Sequence, residues 1–228
     1  MLSSAAISRC RVRLGLGIAL AGLGALMAEA QVPLFEEELE RVDVIALERD
    51  GRDLFAFDAL TGRRARIQLE LDEQAHFERA RGRIGLVLTD RRALAVAPGG
   101  GFQELRFQLQ EDPPEIALVE EQIALAATPR RALGYLASGG PWIEKRLSPN
   151  ERLVALRVGT AAAVVVTSRR VLGLASQARR FVPLDLGVHE ELESVTAQDT
   201  LVTLRTNRRI LVFSAPRASW SEQERRLR

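Results

Sequence analysis

Three of five positions spaced one repeat apart carry carboxylates, the residue type on which glycoside hydrolysis depends. Asp43, Glu121 and Asp199 share one phase of a 39-residue period, and the other two copies place Gly82 and Thr160 there. Two carboxyl groups about 5–10 Å apart can divide the acid and base or nucleophile roles of glycoside hydrolysis. The same five residues also suit a tight turn for backbone reasons, because Asp, Gly and Thr are turn formers. A second set is cationic. Arg52, Arg91, Arg130, Arg169 and Arg208 occupy one column of the repeat, and Arg92, Arg131, Arg170 and Arg209 the next. Guanidinium groups gathered on one side bind phosphate or carboxylate through paired hydrogen bonds. Lys145 is the only lysine, so this chain uses arginine for almost every positive charge.

Other chemistries lack their residues. His76 and His189 are the only histidines and fall at different phases of different copies, while Cys10 is the only cysteine. Neither a metal site nor a cofactor is expected from that set. Nucleophile-elbow, phosphate-loop and dinucleotide motifs are missing from the sequence. Aromatic residues make up 5% of the chain, which is thin for a groove that stacks sugars.

The elements that position these residues follow from the period. Thr89-Asp-Arg-Arg-Ala-Leu returns as Thr128-Pro-Arg-Arg-Ala-Leu, Thr167-Ser-Arg-Arg-Val-Leu and Thr206-Asn-Arg-Arg-Ile-Leu, each step 39 residues, with a divergent copy at Asp50. Large columns (Phe55, Leu94, Leu133, Leu172, Leu211 and Phe57, Val96, Tyr135, Leu174, Phe213) flank a small one (Ala56, Ala95, Gly134, Gly173, Val212). Large-small-large alternation predicts a strand closely approached on one face. Four such runs per copy predict an all-β, five-bladed β-propeller of four-stranded repeats, with an open twisted stack of β-units as the alternative. The last copy ends after its third run, and residues 36–42 hold the phase of the missing fourth. The N-terminal strand is therefore expected to complete the last blade and close the ring. Trp142 and Trp220 read as packing between blades.

Leu54-Phe-Ala-Phe-Asp-Ala-Leu-Thr-Gly62 resembles the hairpin of the quinoprotein-type (PQQ-like) propeller repeat. The resemblance covers one hairpin and implies an exported propeller, without implying the quinone. Non-enzymatic relatives in that superfamily act as periplasmic assembly or scaffold proteins.

The N-terminus reads as an address. Arg9, Arg11 and Arg13 precede an uncharged run from Leu14 to Met27 and an Ala28-Glu29-Ala30 triplet, the pattern of a secretory signal peptide over residues 1–30. Cleavage would remove three Arg, one Glu and Cys10, turning a chain of formal charge +2 into a neutral one over 31–228. Broad electrostatic affinity for nucleic acid or anionic membrane loses its support. The sequence thus predicts a periplasmic or secreted, monomeric, non-catalytic propeller without a membrane span after cleavage. Its partner would be an envelope or extracellular protein or an anionic ligand, held by the arginine column. A glycan-acting hydrolase using Asp43, Glu121 and Asp199 is the alternative.

Overall fold

The computed structural model describes residues 43–225, which form strands and the turns and connections between them. The first sheet holds β1 (Ile45–Asp50), β2 (Asp53–Asp58) and β3 (Arg64–Gln68). The second holds β4 (Ala75–Arg81), β5 (Ile84–Thr89), β6 (Arg92–Val96) and β7 (Gln103–Arg106). The third holds β8 (Ile116–Val119), β9 (Ile123–Ala127), β10 (Arg131–Leu136) and β11 (Ile143–Arg146). The fourth holds β12 (Leu153–Val158), β13 (Ala162–Thr167), β14 (Arg170–Ala175) and β15 (Val182–Asp185). The fifth holds β16 (Leu192–Ala197), β17 (Leu201–Thr206), β18 (Arg209–Ser214) and β19 (Ser219–Glu224). Every neighbouring pair is antiparallel. The architecture is the all-β set of five propeller-type blades expected from the period.

The blades are cut out of phase with the repeat. The fourth run of each copy pairs with the first run of the next, as β4 does with β5 and β16 with β17. Connection length explains this. A tight turn at Gly82 and Arg83 joins β4 to β5, and a two-strand hairpin follows from so short a link. The link from β3 to β4 spans 69–74 and crosses to the next sheet. Gly82 sits at φ +55, and a Cβ there would fall 2.5 Å from the Glu121 backbone, so this turn admits only glycine.

That phase corrects the expected closure. The fifth sheet has its four strands from 192–224 alone, and among the described residues the first sheet is the one with three strands. Residues 36–42, assigned to the last blade, lie outside the described residues, and their phase is that of the strand preceding β1. Extended contacts run only between successive sheets, so among the described residues the row is open between its first and fifth members.

Burial along the row follows the sequence. In the second, third and fourth sheets β5, β9 and β13 read Ile-Gly-Leu-Val-Leu-Thr, Ile-Ala-Leu-Ala-Ala and Ala-Ala-Val-Val-Val-Thr and are buried on both faces. Strands covered on both sides need an unbroken apolar run. β17 in the last sheet reads Leu-Val-Thr-Leu-Arg-Thr and alternates exposed with buried, the mark of one covered face. The small column performs the packing predicted for it. A Cβ on Gly134 would meet the Leu174 side chain, and one on Gly173 would meet the Phe213 ring at 2.5 Å. Core clusters accordingly straddle each junction, joining Leu88 with Ala126, Ala127 with Val165, and Val166 with Leu204.

Candidate functional site

The Thr-x-Arg-Arg segments form the turns between the two middle strands of each four-stranded sheet. Thr89 Oγ1 accepts the N–H groups of Arg91 and Arg92 at 3.1 and 2.9 Å, which fixes the turn. The same hydroxyl donates to Glu73 Oε1 at 2.7 Å. Arg92 then grips both oxygens of Glu73 through Nε and Nη2, each at 2.8 Å, and donates from Nη2 to the Gln68 carbonyl at 2.9 Å. Gln68 ends β3 and Glu73 lies in the link to β4. An arginine of the second sheet therefore fastens the chain as it leaves the first.

This lock recurs at every later junction. Glu111, Thr128 and Arg131 repeat it with the Arg106 carbonyl, and Glu151, Thr167 and Arg170 with that of Arg146. Glu190, Thr206 and Arg209 repeat it with that of Asp185. Each glutamate also accepts the N–H of the residue three places before it, from Glu70, Gln108, Ser148 or Gly187. The carboxylates are enclosed, with the Glu73 and Glu111 side chains 0% exposed. Burial alone would raise the Glu190 carboxyl. Arg209, the Gly187 N–H and the Thr206 hydroxyl outweigh it and pull the group down to about 2. Equivalent donors hold Glu73, Glu111 and Glu151 below the ordinary carboxylate value. Charged, enclosed and fully bonded, these glutamates are structural anchors. The Thr and Arg members of the lock recur at the strict 39-residue period, whereas its glutamates do not.

The first arginine column lies beside the lock, on the exposed tips of the same turns. Its members divide into two groups. Arg52 donates through Nε and Nη2 to the Leu69 carbonyl at 2.9 and 2.6 Å, and Arg91 pairs with Glu70 at 3.1 Å. Arg130, Arg169 and Arg208 are exposed, and their side chains make no hydrogen bond or ion pair among the described residues. These three stand on the turns of the third, fourth and fifth sheets. Arg208 lines an open cleft of about 540 Å³ with Leu186, Gly187, Arg209, Glu224 and Arg225. Arg209 is neutralised there by Glu190 and Glu222, and Arg225 by Glu193.

The carboxylate set occupies a different kind of place. Asp43, Gly82, Glu121, Thr160 and Asp199 stand one per sheet, each just before the second strand of a four-stranded blade or its equivalent β1. They run as a ladder of turns. Asp43 Oδ1 accepts the Gly82 N–H at 2.5 Å, the Glu121 carbonyl accepts from Arg83, and Asp199 Oδ1 accepts the Thr160 hydroxyl at 2.8 Å. Gly82 stands between Asp43 and Glu121, and Thr160 between Glu121 and Asp199, so no two of the carboxyl groups are bonded neighbours. Two of the three carboxylates are engaged in joining consecutive blades. Among the described residues no group of three or more His, Cys, Asp or Glu is placed to hold a metal ion.

The quinoprotein-like hairpin is a tie as well. Asp58 accepts the Leu60 N–H at 2.9 Å, the Thr61 hydroxyl at 2.6 Å and, across the junction, the Gly99 N–H at 2.7 Å. Trp142 and Trp220 reach back one sheet, their indole N–H groups donating to the carbonyls of Gln103 and Val182 at 3.1 and 2.9 Å.

No family model and no curated protein matches this sequence. Among solved structures, the N-terminal domain of Nup159 aligns over 80% of this chain and 58% of its own, with 10% identity and a TM-score of 0.37. The computationally designed Ika8 protein aligns over 78% and 61%, with 12% identity and a TM-score of 0.39. Prp20p from Saccharomyces cerevisiae aligns over 75% and 55%, with 7% identity and a TM-score of 0.40. The chain spans less than two thirds of each of these structures. Among the described residues no helix is long and apolar enough to cross a membrane.

Proposed function

We propose that this chain is an exported, non-catalytic binding module, residues 1–30 being its signal peptide and 31–228 the propeller. Its docking element is the edge formed by Arg130, Arg169 and Arg208, and its ligand an acidic segment of an envelope or extracellular protein. The observation that carries this reading is the contrast within one repeated column. Two of its arginines are consumed by local contacts, while the three on successive later turns keep their donors free. A guanidinium has five donors and, once bonded to a carboxylate, contributes more than a neutral hydrogen bond does. The sequence-level likeness of Leu54–Gly62 to quinoprotein-type propellers supports an exported setting, and the neutral charge after cleavage disfavours nucleic acid.

The test is titration of a fluorescent oligoglutamate peptide, with inorganic tripolyphosphate as a second probe. Arg130→Glu combined with Arg169→Glu should weaken peptide binding by about tenfold or more, since each charge-assisted bond contributes about 1.5–3 kcal/mol. Both residues are exposed and unpaired, so melting should be unchanged. Equal affinity in the double variant would refute the reading. Tripolyphosphate binding without peptide binding would reassign the edge to a small anion.

A further inference from the structure

The repeat makes one kind of sheet-to-sheet junction, and the open row leaves half of one at each end. In each blade a leading face packs on the sheet that follows and a trailing face on the sheet before. At the junction of the fourth and fifth sheets Gly173 on the leading face lies under Phe213 on the trailing face. One period later the leading face of the fifth sheet offers Val212, and four periods earlier the trailing face of the first offers Phe57. Phe57 is 41% exposed and Leu201, which shares the face of Val212, is 38% exposed. Both are large apolar residues left in water at columns the interior junctions bury.

One charge pair matches as well, on a trailing face that also carries Arg64 and Arg66 over the Phe55 ring. At the same interior junction Val166 packs with Leu204 in one cluster. The equivalents at the two free faces are Arg205 on the fifth sheet and Glu48 on the first. Glu48 has no ion-pair partner among the described residues, and Arg205 holds only the exposed Glu193 at 2.9 Å. Setting a first sheet on a fifth in the register of the interior junctions thus brings Phe57 onto Val212 and Glu48 beside Arg205.

We propose that the leading face of the fifth sheet docks the trailing face of the first sheet of a second copy, continuing the row head to tail. Among the described residues the two faces make no extended contact within one chain. A second copy supplies the matching register, where a monomeric closed ring had been expected from the sequence. The contact is heterologous, so copies add until geometry closes the set. Valine in place of Gly173 holds these sheets further apart than the interior ones, which makes the association weaker and dependent on concentration.

The test uses the full chain carrying Cys10→Ser, with Ala46→Cys in one sample and Thr203→Cys in another. Their equivalents, Val202 and Val164, share a core cluster at the fourth junction. Mixed and treated with a short bis-maleimide, the two should give a crossed dimer well above either self-dimer. Adding Arg205→Glu should cut its yield by about tenfold, because like charges face to face are repulsive, and Glu48→Arg on the partner should restore it. Cross-linking confined to a single chain bearing both cysteines would overturn the proposal in favour of a self-closed ring. No cross-link in either arrangement would overturn it outright.

Discussion

The first sheet and the four that follow are built from one repeat, yet only the four carry the lock. Where they have Thr and Arg, the first sheet has Asp50 and Asp53, and one period before Glu73 the sequence holds Leu34. All three members of the lock are gone together. Asp53 instead pairs with Arg66 at 2.7 Å across the outer face, and its Oδ1 is a buried acceptor with no partner among the described residues. The lock clasps the chain arriving from the preceding sheet. The first sheet has no such sheet behind it among the described residues, and the repeat has let the whole triad go. A lock that disappears as a set acts as a set.

Breaking that contrast gives the largest expected effect. Glu111→Ala strips Arg131, whose side chain is 7% exposed, of its bidentate partner. Removing one member of a buried pair costs about 3–5 kcal/mol, and Glu144 on the same guanidinium keeps this loss near the lower end. Asp53→Ala in the first sheet removes a pair whose Arg66 is exposed, together with a buried oxygen that gains nothing from a partner, and should cost less than about 1 kcal/mol. Urea titrations of both variants decide the matter, and equal losses would deny the lock its role.

Acid should sharpen the contrast next. Glu190 stands at about 2 in the fold against 4.5 unperturbed, so its contribution is complete above 4.5 and is lost as pH falls toward 2. The other three lock glutamates are depressed in the same direction. Stability should therefore fall steeply below pH 4.5, and Glu190→Gln should be less stable at neutral pH with a flatter acid profile. A variant with the parent's slope would show that this carboxylate is not what acid releases. The smallest effect concerns packing. Gly173→Ala forces a Cβ against the Phe213 ring and should cost about 1–3 kcal/mol, whereas Val212→Ala, in the same column on an uncovered face, should cost less than half of that.

The period, the small column and the strand runs were legible because they recur without gaps. The lock glutamates were not, for a physical reason. Glu73, Glu111, Glu151 and Glu190 are spaced 38, 40 and 39 apart, since they sit in links whose length can vary while the strands keep register. A strict period carries Glu73 onto Asp112, which is exposed, instead of the buried Glu111. The division of the arginine column was equally hidden, because Arg52 and Arg130 differ only in what lies within reach of their tips. The open ends were legible in retrospect. Thr203 and Arg205 interrupt β17 where β5, β9 and β13 remain apolar, which announces a face without a neighbour.

The half-step between repeat and blade has one more consequence. Each four-stranded sheet takes its first strand from one copy and the rest from the next, so a single 39-residue copy excised at its own boundaries contains no whole sheet. Folding must therefore spread across copy boundaries like overlapping tiles, each course pinned by the one before. An array of this kind is a one-dimensional cooperative system in which coupling between neighbours, not the stability of any single unit, sets how far order propagates.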